Sequence, residues 1–366
     1  MTEQIIRKRS LVNQVKDLAD ITPKKDEHFD TSSLISTGNT ILDLCCSDSI
    51  GGGFLPGRMV NLIGDSSSGK TILCLSLLAE ACNNEKFDDY RIIFDDVEAA
   101  MSFDIEKLFG TKLAERIDAP NTDENDEPLY SDTIQQFQYN VTKALDGDLP
   151  VIYILDSFDA LSSDEEIRRL DDAIEAYDKG KETKGTYAME KAKVGGRALA
   201  MIVRKLKQSK SMVVIISQTR DNIDPMSFNK KTRSGGKALK FYATHEIWMA
   251  CGKKIKSKDR VIGVEAIAKV TKNKLTGKIR DCSFNVFYDY GVDDIGSCVD
   301  FLVNEGHWKK KALTIDAVEL GISGTRDKLI RTIESERIVG RLKKIVGKVW
   351  GGIEESLKLG REPKYN

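Results

Sequence analysis

One stretch of the chain combines a strand, a loop and the start of a helix: Met59-Val-Asn-Leu-Ile-Gly-Asp-Ser-Ser-Ser-Gly-Lys-Thr71. The mostly apolar run Met59 to Ile63 predicts a buried strand, and the Leu- and Ala-rich run from Lys70 to about Cys82 predicts a helix. Residues 64–71 fit the pattern G-x-x-x-x-G-K-[ST] in the strand–loop–helix setting that this pattern requires. The stretch therefore predicts a phosphate-binding loop in an α/β fold.

Each part of this loop has a physical task. Lys70 would meet the β- and γ-phosphate oxygens, and Thr71 would offer a hydroxyl to Mg²⁺. The dipole at the start of the helix adds to the attraction for an anion. The alternative is a Gly/Ser turn that precedes a helix by chance. The backbone amides that would surround the phosphates belong to Gly64, Asp65, Ser66, Ser67, Ser68 and Gly69.

Acidic residues follow two further apolar runs. Val151 to Leu155 ends in Asp156, at the place where a Mg²⁺-binding carboxylate would lie beside a phosphate loop. Arg91 to Phe94 is followed by Asp95, Asp96 and Glu98. Hydrolysis needs a group that orients water and takes its proton, and Glu98 is the candidate, while the two aspartates are interpreted as structural caps.

A fourth run, Met212 to Ile216, ends in a neutral amide, Gln218. Such an amide can hydrogen-bond a γ-phosphate and relay its presence to the long polar loop that follows. Beyond this loop, Gly235 and Gly236 open a helix whose free backbone amides would face an anion.

The alternation of strand-like and helical runs predicts a mainly parallel sheet. Val261 to Lys269 and Cys282 to Tyr288 predict an antiparallel extension. The predicted domains are residues 1–33 (a basic amphipathic helix at 4–18 and a polar linker), 34–305 (the core) and 306–366 (a small basic, helical domain).

The net charge of −1 comes from 56 basic and 57 acidic residues that are unevenly placed. Residues 181–280 hold 25 Lys and Arg against 7 Asp and Glu, which indicates either a polyanion-binding surface or a solvated basic face. We find no apolar run of membrane-spanning length and no secretory signal. The seven cysteines form no C-x-x-C pair and are expected to be reduced thiols of a cytoplasmic protein.

Taken together and in order, the motifs of residues 34–305 resemble the RecA-type DNA recombinases. The resemblance implies a phosphate-loop ATPase core that uses ATP and Mg²⁺. The motifs that carry it are Leu34-Ile-Ser-Thr-Gly-Asn-Thr-Ile-Leu-Asp-Leu44, Gly51-Gly-Gly-Phe-Leu-Pro-Gly-Arg-Met59, residues 64–71, Asp96-Val-Glu98, Leu155-Asp-Ser157, Ser217-Gln218, Ser234-Gly-Gly-Lys-Ala-Leu-Lys-Phe-Tyr-Ala243 and Val270-Thr-Lys-Asn-Lys274.

The resemblance also implies site residues. Glu98 would activate water, with Lys70 and Gln218 completing the catalytic set, and Tyr288 would contact the base. Gln218 would couple the γ-phosphate to a second DNA-binding loop at about 219–234, and a first loop would lie at about 180–196. Contacts with the next subunit and its ATP would come from Lys272, Lys274 and Phe241. DNA contacts would come from Arg197, Arg204, Arg220, Arg233, Gly235 and Gly236.

The function implied is a filament that forms on single-stranded DNA and pairs it with homologous duplex, helped by single-strand-binding and loader proteins. A ring helicase or branch-migration motor is the alternative, and an ATP-gated scaffold is a third reading. Three features depart from the bacterial pattern and are more similar to phage-encoded recombinases: Ile105 in place of a base-stacking Tyr, a longer segment at 164–186, and no acidic C-terminal tail.

Overall fold

The computed structural model describes residues 29–99, 101–102, 104–178, 189–221, 231–233, 236–361 and 364. The predicted helix at 4–18, the residues 179–188 and 222–230 of the two predicted loops, and Gly235 lie outside the described residues.

A large sheet forms the centre of the molecule. Within the described residues its order is β12-β11-β10-β9-β1-β7-β6-β2-β3, with β8 paired to β7. The strands are β1 (Met59–Gly64), β2 (Arg91–Asp96), β3 (Ile117–Asp118), β4 (Asn121–Thr122), β5 (Pro128–Leu129), β6 (Val151–Asp156), β7 (Met212–Asp221), β8 (Lys231–Arg233), β9 (His245–Ser257), β10 (Arg260–Asn273), β11 (Arg280–Phe287), β12 (Gly291–Val292), β13 (Lys309–Lys311), β14 (Thr314–Ala317) and β15 (Ile322–Gly324).

Helices cover both faces of this sheet, and two apolar clusters fill the space between the layers. Strands β9, β1, β7, β6, β2 and β3 run parallel, which confirms the predicted α/β class with a mainly parallel sheet. The helices are α1 (Thr40–Ser47), α2 (Lys70–Cys82), α3 (Ile105–Phe109), α4 (Thr111–Arg116), α5 (Ile134–Leu145), α6 (Asp164–Asp178), α7 (Met189–Ser209), α8 (Gly236–Tyr242), α9 (Asp294–Asn304), α10 (Arg326–Ser335) and α11 (Val339–Ser356), with short 3₁₀ turns at Thr31–Ser33 and Glu85–Phe87.

Among the described residues, the antiparallel extension has two strands more than the sequence predicted. The two predicted segments correspond to β10 and β11. The strands missed are the two-residue β12, which pairs with β11, and β9, which pairs parallel to β1 and antiparallel to β10. Its first residues are buried, but from Lys253 onward most of its side chains are exposed and several are lysines. This half has no apolar alternation, so periodicity could not identify the strand.

The C-terminal region contains a small sheet of order β13-β14-β15 that the sequence did not predict. Helices α10 and α11 of this region contribute side chains to the same apolar cluster that contains residues of α1 and α2. These side chains are Leu329, Ile333, Leu342, Val346 and Trp350. A boundary at residue 305 stays a prediction.

Ion pairs fasten the last long helix to the core. Glu354 of α11 accepts from Lys278 Nζ at 2.7 Å and from Arg280 Nε at 3.0 Å. The indole of Trp350 donates to Asp48 Oδ1 at 3.0 Å. The helix is therefore held by both apolar and charged contacts. Among the described helices, none is both long and apolar enough to cross a membrane.

Asp43 is a buried carboxyl on α1 whose protonation affects stability. It accepts a hydrogen bond from the Thr37 amide and one from the Ser36 hydroxyl, each at 2.8 Å. Burial nevertheless raises its pKa to about 7, although the charge of Lys343 opposes this. The folded protein therefore binds a proton more tightly than the unfolded chain, so this site's contribution to stability is lost as pH rises toward 7.

We expect Asp43→Asn to flatten this pH dependence. The amide keeps an acceptor for Thr37, but it does not ionise. Between pH 5 and pH 8 the free energy of unfolding of the natural chain should fall, relative to the variant, by about 2–3 kcal/mol. Urea unfolding at both pH values measures this difference. Parallel pH profiles for the two proteins would contradict the assignment.

Candidate nucleotide site

The loop between β1 and α2 has the geometry of a phosphate cradle. Gly69, which caps α2, has φ of +86°, a backbone conformation that favours glycine. A side chain at Gly64 would collide with the carbonyl oxygen of Met249 on the neighbouring strand. The loop therefore needs glycine at both ends, and its backbone amides stay accessible at the helix N-terminus.

Lys70 is held within this loop. Its Nζ donates to the carbonyl oxygens of Gly64 at 2.9 Å and of Asp65 at 2.7 Å. Burial lowers its pKa, and the carboxylates of Asp156 and Glu98 act in the opposite direction. The structure thus places the Lys70 ammonium against the phosphate loop, where it would contact an anion bound by the loop amides.

A hydroxyl and a carboxylate meet at the next position. Thr71 Oγ1 donates to Asp156 Oδ2 at 2.6 Å, and burial raises the pKa of Asp156 to about 6. Two hard oxygen donors side by side suit Mg²⁺, which usually takes only one or two protein ligands and completes its shell with water and phosphate. No group of three or more His, Cys, Asp or Glu that could hold a metal occurs among the described residues, and the Mg²⁺ site at Thr71 and Asp156 stays a prediction.

Glu98 lies in the turn after β2, at the same edge of the sheet. Its Oε1 accepts from Ser157 Oγ at 2.6 Å and from Gln218 Nε2 at 2.9 Å. Three strands therefore contribute to one hydrogen-bonded group, because the register aligns Asp96 of β2 with Asp156 of β6 at their carboxyl ends. Sequence reasoning missed the contact of Ser157, although the residue was part of a quoted motif.

The two aspartates before Glu98 both accept hydrogen bonds within the chain, and their interpretation as caps stays a prediction. Asp95 is fully buried and accepts from the Ser131 amide at 2.9 Å, the Ser131 hydroxyl at 2.6 Å and Tyr153 Oη at 2.5 Å. Asp96 accepts from the amide of Met101 at 2.9 Å. Glu98 is thus the carboxylate of this turn that faces Ser157 and Gln218.

Gln218 is fixed through its backbone as well as its side chain. Its amide donates to Asp159 Oδ2 at 2.6 Å. Beyond it, β7 and β8 form a two-stranded hairpin in which Thr219 pairs with Arg233. The hairpin forms both ends of the second predicted loop, 219–234, so this segment begins one residue after Gln218, which donates to Glu98.

Arg233 forms a buried ion pair with Glu246 of the same chain. Its guanidinium pairs with Glu246 of β9, which also accepts from Trp248 Nε1 at 3.1 Å and Thr271 Oγ1 at 3.1 Å. The side chains of Arg233 and Glu246 are only 10% and 3% exposed. The arrangement is that of a structural ion pair, and a DNA contact by Arg233 stays a prediction.

The residues predicted to reach the next subunit lie together on one surface. Lys274 Nζ donates to the carbonyl of Phe241 at 3.0 Å, and Lys272 Nζ donates to the same oxygen at 3.1 Å. The Phe241 ring is 69% exposed although it is apolar. Burial and the neighbouring Lys274 lower the pKa of Lys272 to about 8. The surface combines two cations with an uncovered ring.

The remaining predicted contacts are separate from this group. Arg197 and Arg204 are exposed on α7, about two turns apart, and Arg220 is exposed on β7. Gly236 begins α8. Tyr288 is 55% exposed after β11. The three arginines and Tyr288 are accessible, and their roles and that of Gly236 stay predictions.

Two comparisons with known proteins bear on this geometry. A family model described as the RecA N-terminal domain matches residues 21–293. The chain is also similar to Protein RecA of Colwellia psychrerythraea (strain 34H / ATCC BAA-681), with 30% identity over 283 residues that cover 75% of this chain and 73% of that protein. Neither comparison bears on a phage origin, which stays a prediction.

Proposed function

Because this chain belongs to the RecA family, and so is a DNA-dependent ATPase with a recombinase function, we propose that it forms a filament on single-stranded DNA with ATP and Mg²⁺ and pairs that strand with a homologous duplex. The observation that carries the proposal is the continuous set of contacts around Glu98. It joins the phosphate loop, the carboxylate of Asp156 and the start of the β7–β8 hairpin at one edge of the sheet.

The chain's own groups divide the chemistry between them. Lys70 and the loop amides bind the phosphates, while Thr71 and Asp156 would hold Mg²⁺, which when bound withdraws charge from the transferring phosphoryl group. Glu98 orients a water molecule and takes its proton. Ser157 and Gln218 hold Glu98 in place by donating to the same oxygen.

Gln218 also offers a route from hydrolysis to DNA. Its side chain donates to Glu98, and the residue that follows it begins the hairpin of the second predicted loop. A γ-phosphate would compete with Glu98 for the amide of Gln218. We expect the hairpin to respond because it is attached at this residue.

The exposed surface of Lys272, Lys274 and Phe241 supports contact between subunits. The Phe241 ring is 69% exposed and lies beside two lysines, so it offers an apolar contact next to cations that suit the phosphates of a neighbour's ATP. The neighbour's nucleotide would thus be sealed between protomers. The proposal also includes single-strand-binding and loader proteins as partners. The seven free thiols favour a location in a reducing compartment such as the cytoplasm.

The test is ATP hydrolysis with and without single-stranded DNA, followed by electron microscopy of the same mixtures. We expect DNA to stimulate hydrolysis and helical filaments to form only with nucleotide. The matched variant Phe241→Ala should retain the fold but lose filament length and the stimulation. Closed rings in place of filaments would overturn the proposal in favour of a ring motor.

A further inference from the structure

Asp65, the second residue of the phosphate loop, uses its side chain outside the loop. Its Oδ1 accepts a hydrogen bond from Thr219 Oγ1, and its Oδ2 pairs with Lys231 Nζ. These partners belong to different strands, β7 and β8. A single carboxylate therefore bridges both strands of the hairpin that leads into residues 222–230.

The backbone register explains why this bridge exists. β1 and β7 are parallel neighbours with Gly64 opposite Gln218, so the next residues, Asp65 and Thr219, emerge side by side. Within the hairpin, Asp221 is opposite Lys231, two residues beyond Thr219. Lys231 therefore lies diagonally across from Thr219, within reach of the same carboxylate.

The energetics argue against a role in stability. The hydrogen bonds from Lys231 and Thr219 lower the pKa of Asp65, so the carboxylate is ionised at neutral pH. However, the side chains of Lys231 and Asp65 are 50% and 47% exposed. Exposed pairs of this kind contribute only about 0–1 kcal/mol to folding. A contact that contributes so little to stability can form and break without unfolding the hairpin. It can therefore follow the state of the phosphate loop.

We propose that Asp65 is a positioning residue that ties the β7–β8 hairpin to the phosphate loop and transmits nucleotide binding to DNA affinity. The inference rests on the proposed function, and it adds to the route through Gln218 a second, separate connection. Gln218 acts through Glu98 at the position of β7 just before the hairpin pairing begins, whereas Asp65 acts on side chains of both strands. When phosphates draw in the loop amides, the carboxylate on the same loop moves with them and the hairpin follows.

The test compares the affinity for a fluorescent oligo(dT) with and without ATPγS. The measured quantity is the ratio of the two affinities, since linkage makes this ratio the coupling between the sites. We expect Lys231→Met to reduce the ratio by about fivefold while nucleotide affinity without DNA is unchanged. Asp65→Ala should reduce the ratio to the same extent, and the double variant should be no worse than either single one.

Two further variants separate coupling from folding. Asp65→Lys combined with Lys231→Asp restores the pair with reversed charges, and we expect it to recover part of the ratio. Glu355→Gln is the matched control, because it removes an exposed surface pair with Lys358 (2.7 Å) at the end of α11 and should leave the ratio intact.

The outcomes distinguish this inference from the function on which it rests. If the natural chain shows no effect of ATPγS on DNA affinity, the proposed function fails. If the natural chain shows the effect and the Asp65 and Lys231 variants retain it in full, or if their effects simply add, the positioning role of Asp65 is overturned.

Discussion

Replacing Glu98 by Gln should lower the rate of ATP hydrolysis by about 10²–10⁴-fold, the usual contribution of a positioned proton acceptor. The amide can still accept from Ser157 and Gln218, which donate to Oε1 at 2.6 and 2.9 Å, so the local structure should persist. It cannot take a proton from water. Nucleotide binding and assembly on DNA should therefore survive while turnover is lost.

Single-turnover hydrolysis and nucleotide titration measure the two properties separately. Glu115→Gln serves as the control, because Glu115 is an exposed acid on α4, away from the site, and its loss should not change either property. If the Glu98 variant hydrolysed ATP at the natural rate, the carboxylate would have no part in water activation. If it failed to bind nucleotide, its role would be structural.

Replacing Lys70 by Met should weaken ATP binding at least about tenfold and reduce hydrolysis by about 10²–10³-fold. Lys70 is 8% exposed, and its ammonium donates to the carbonyls of Gly64 and Asp65. Without it, the phosphates lose a buried positive charge and the loop loses two internal bonds.

Lys70→Arg distinguishes charge from shape. The guanidinium retains the charge but is larger and planar, so it should not restore hydrolysis. Lys107→Met, an exposed lysine on α3, controls for the loss of a positive charge. Natural ATP affinity in the Met variant, measured by equilibrium titration, would remove Lys70 from the phosphate site.

The sequence could predict the elements whose pattern is local. The run Val151 to Leu155 is entirely apolar and is buried along its length, and residues 64–71 carry their strand–loop–helix signature in consecutive positions. The corresponding helix was predicted with the bounds that α2 has. Strands β9 and β13 were missed because exposed lysines mask any apolar alternation in them. Strand β14 does alternate, but its four residues are too few for periodicity to identify.

The candidate site shows the same division. The sequence singled out Glu98, Asp156 and Gln218 because each follows a buried strand. It did not indicate that Asp65 would bridge both strands of the hairpin or that Glu246 would pair with Arg233. Those contacts depend on strand register and on neighbours that are distant in sequence. The order of motifs along the chain gives no information about either. The charge pattern of residues 181–280 likewise indicates either a polyanion-binding surface or a solvated face, and it does not reveal that Arg233 within this segment pairs internally.

Strand exchange tests the central claim most directly. The measurement follows the transfer of a strand from linear duplex to circular single-stranded DNA with ATP and Mg²⁺, and uses a heterologous duplex of the same length as its control. We predict joint molecules with the homologous duplex and none with the heterologous one. ATP hydrolysis stimulated by DNA but without homologous pairing would contradict the account and indicate a motor built on the same core.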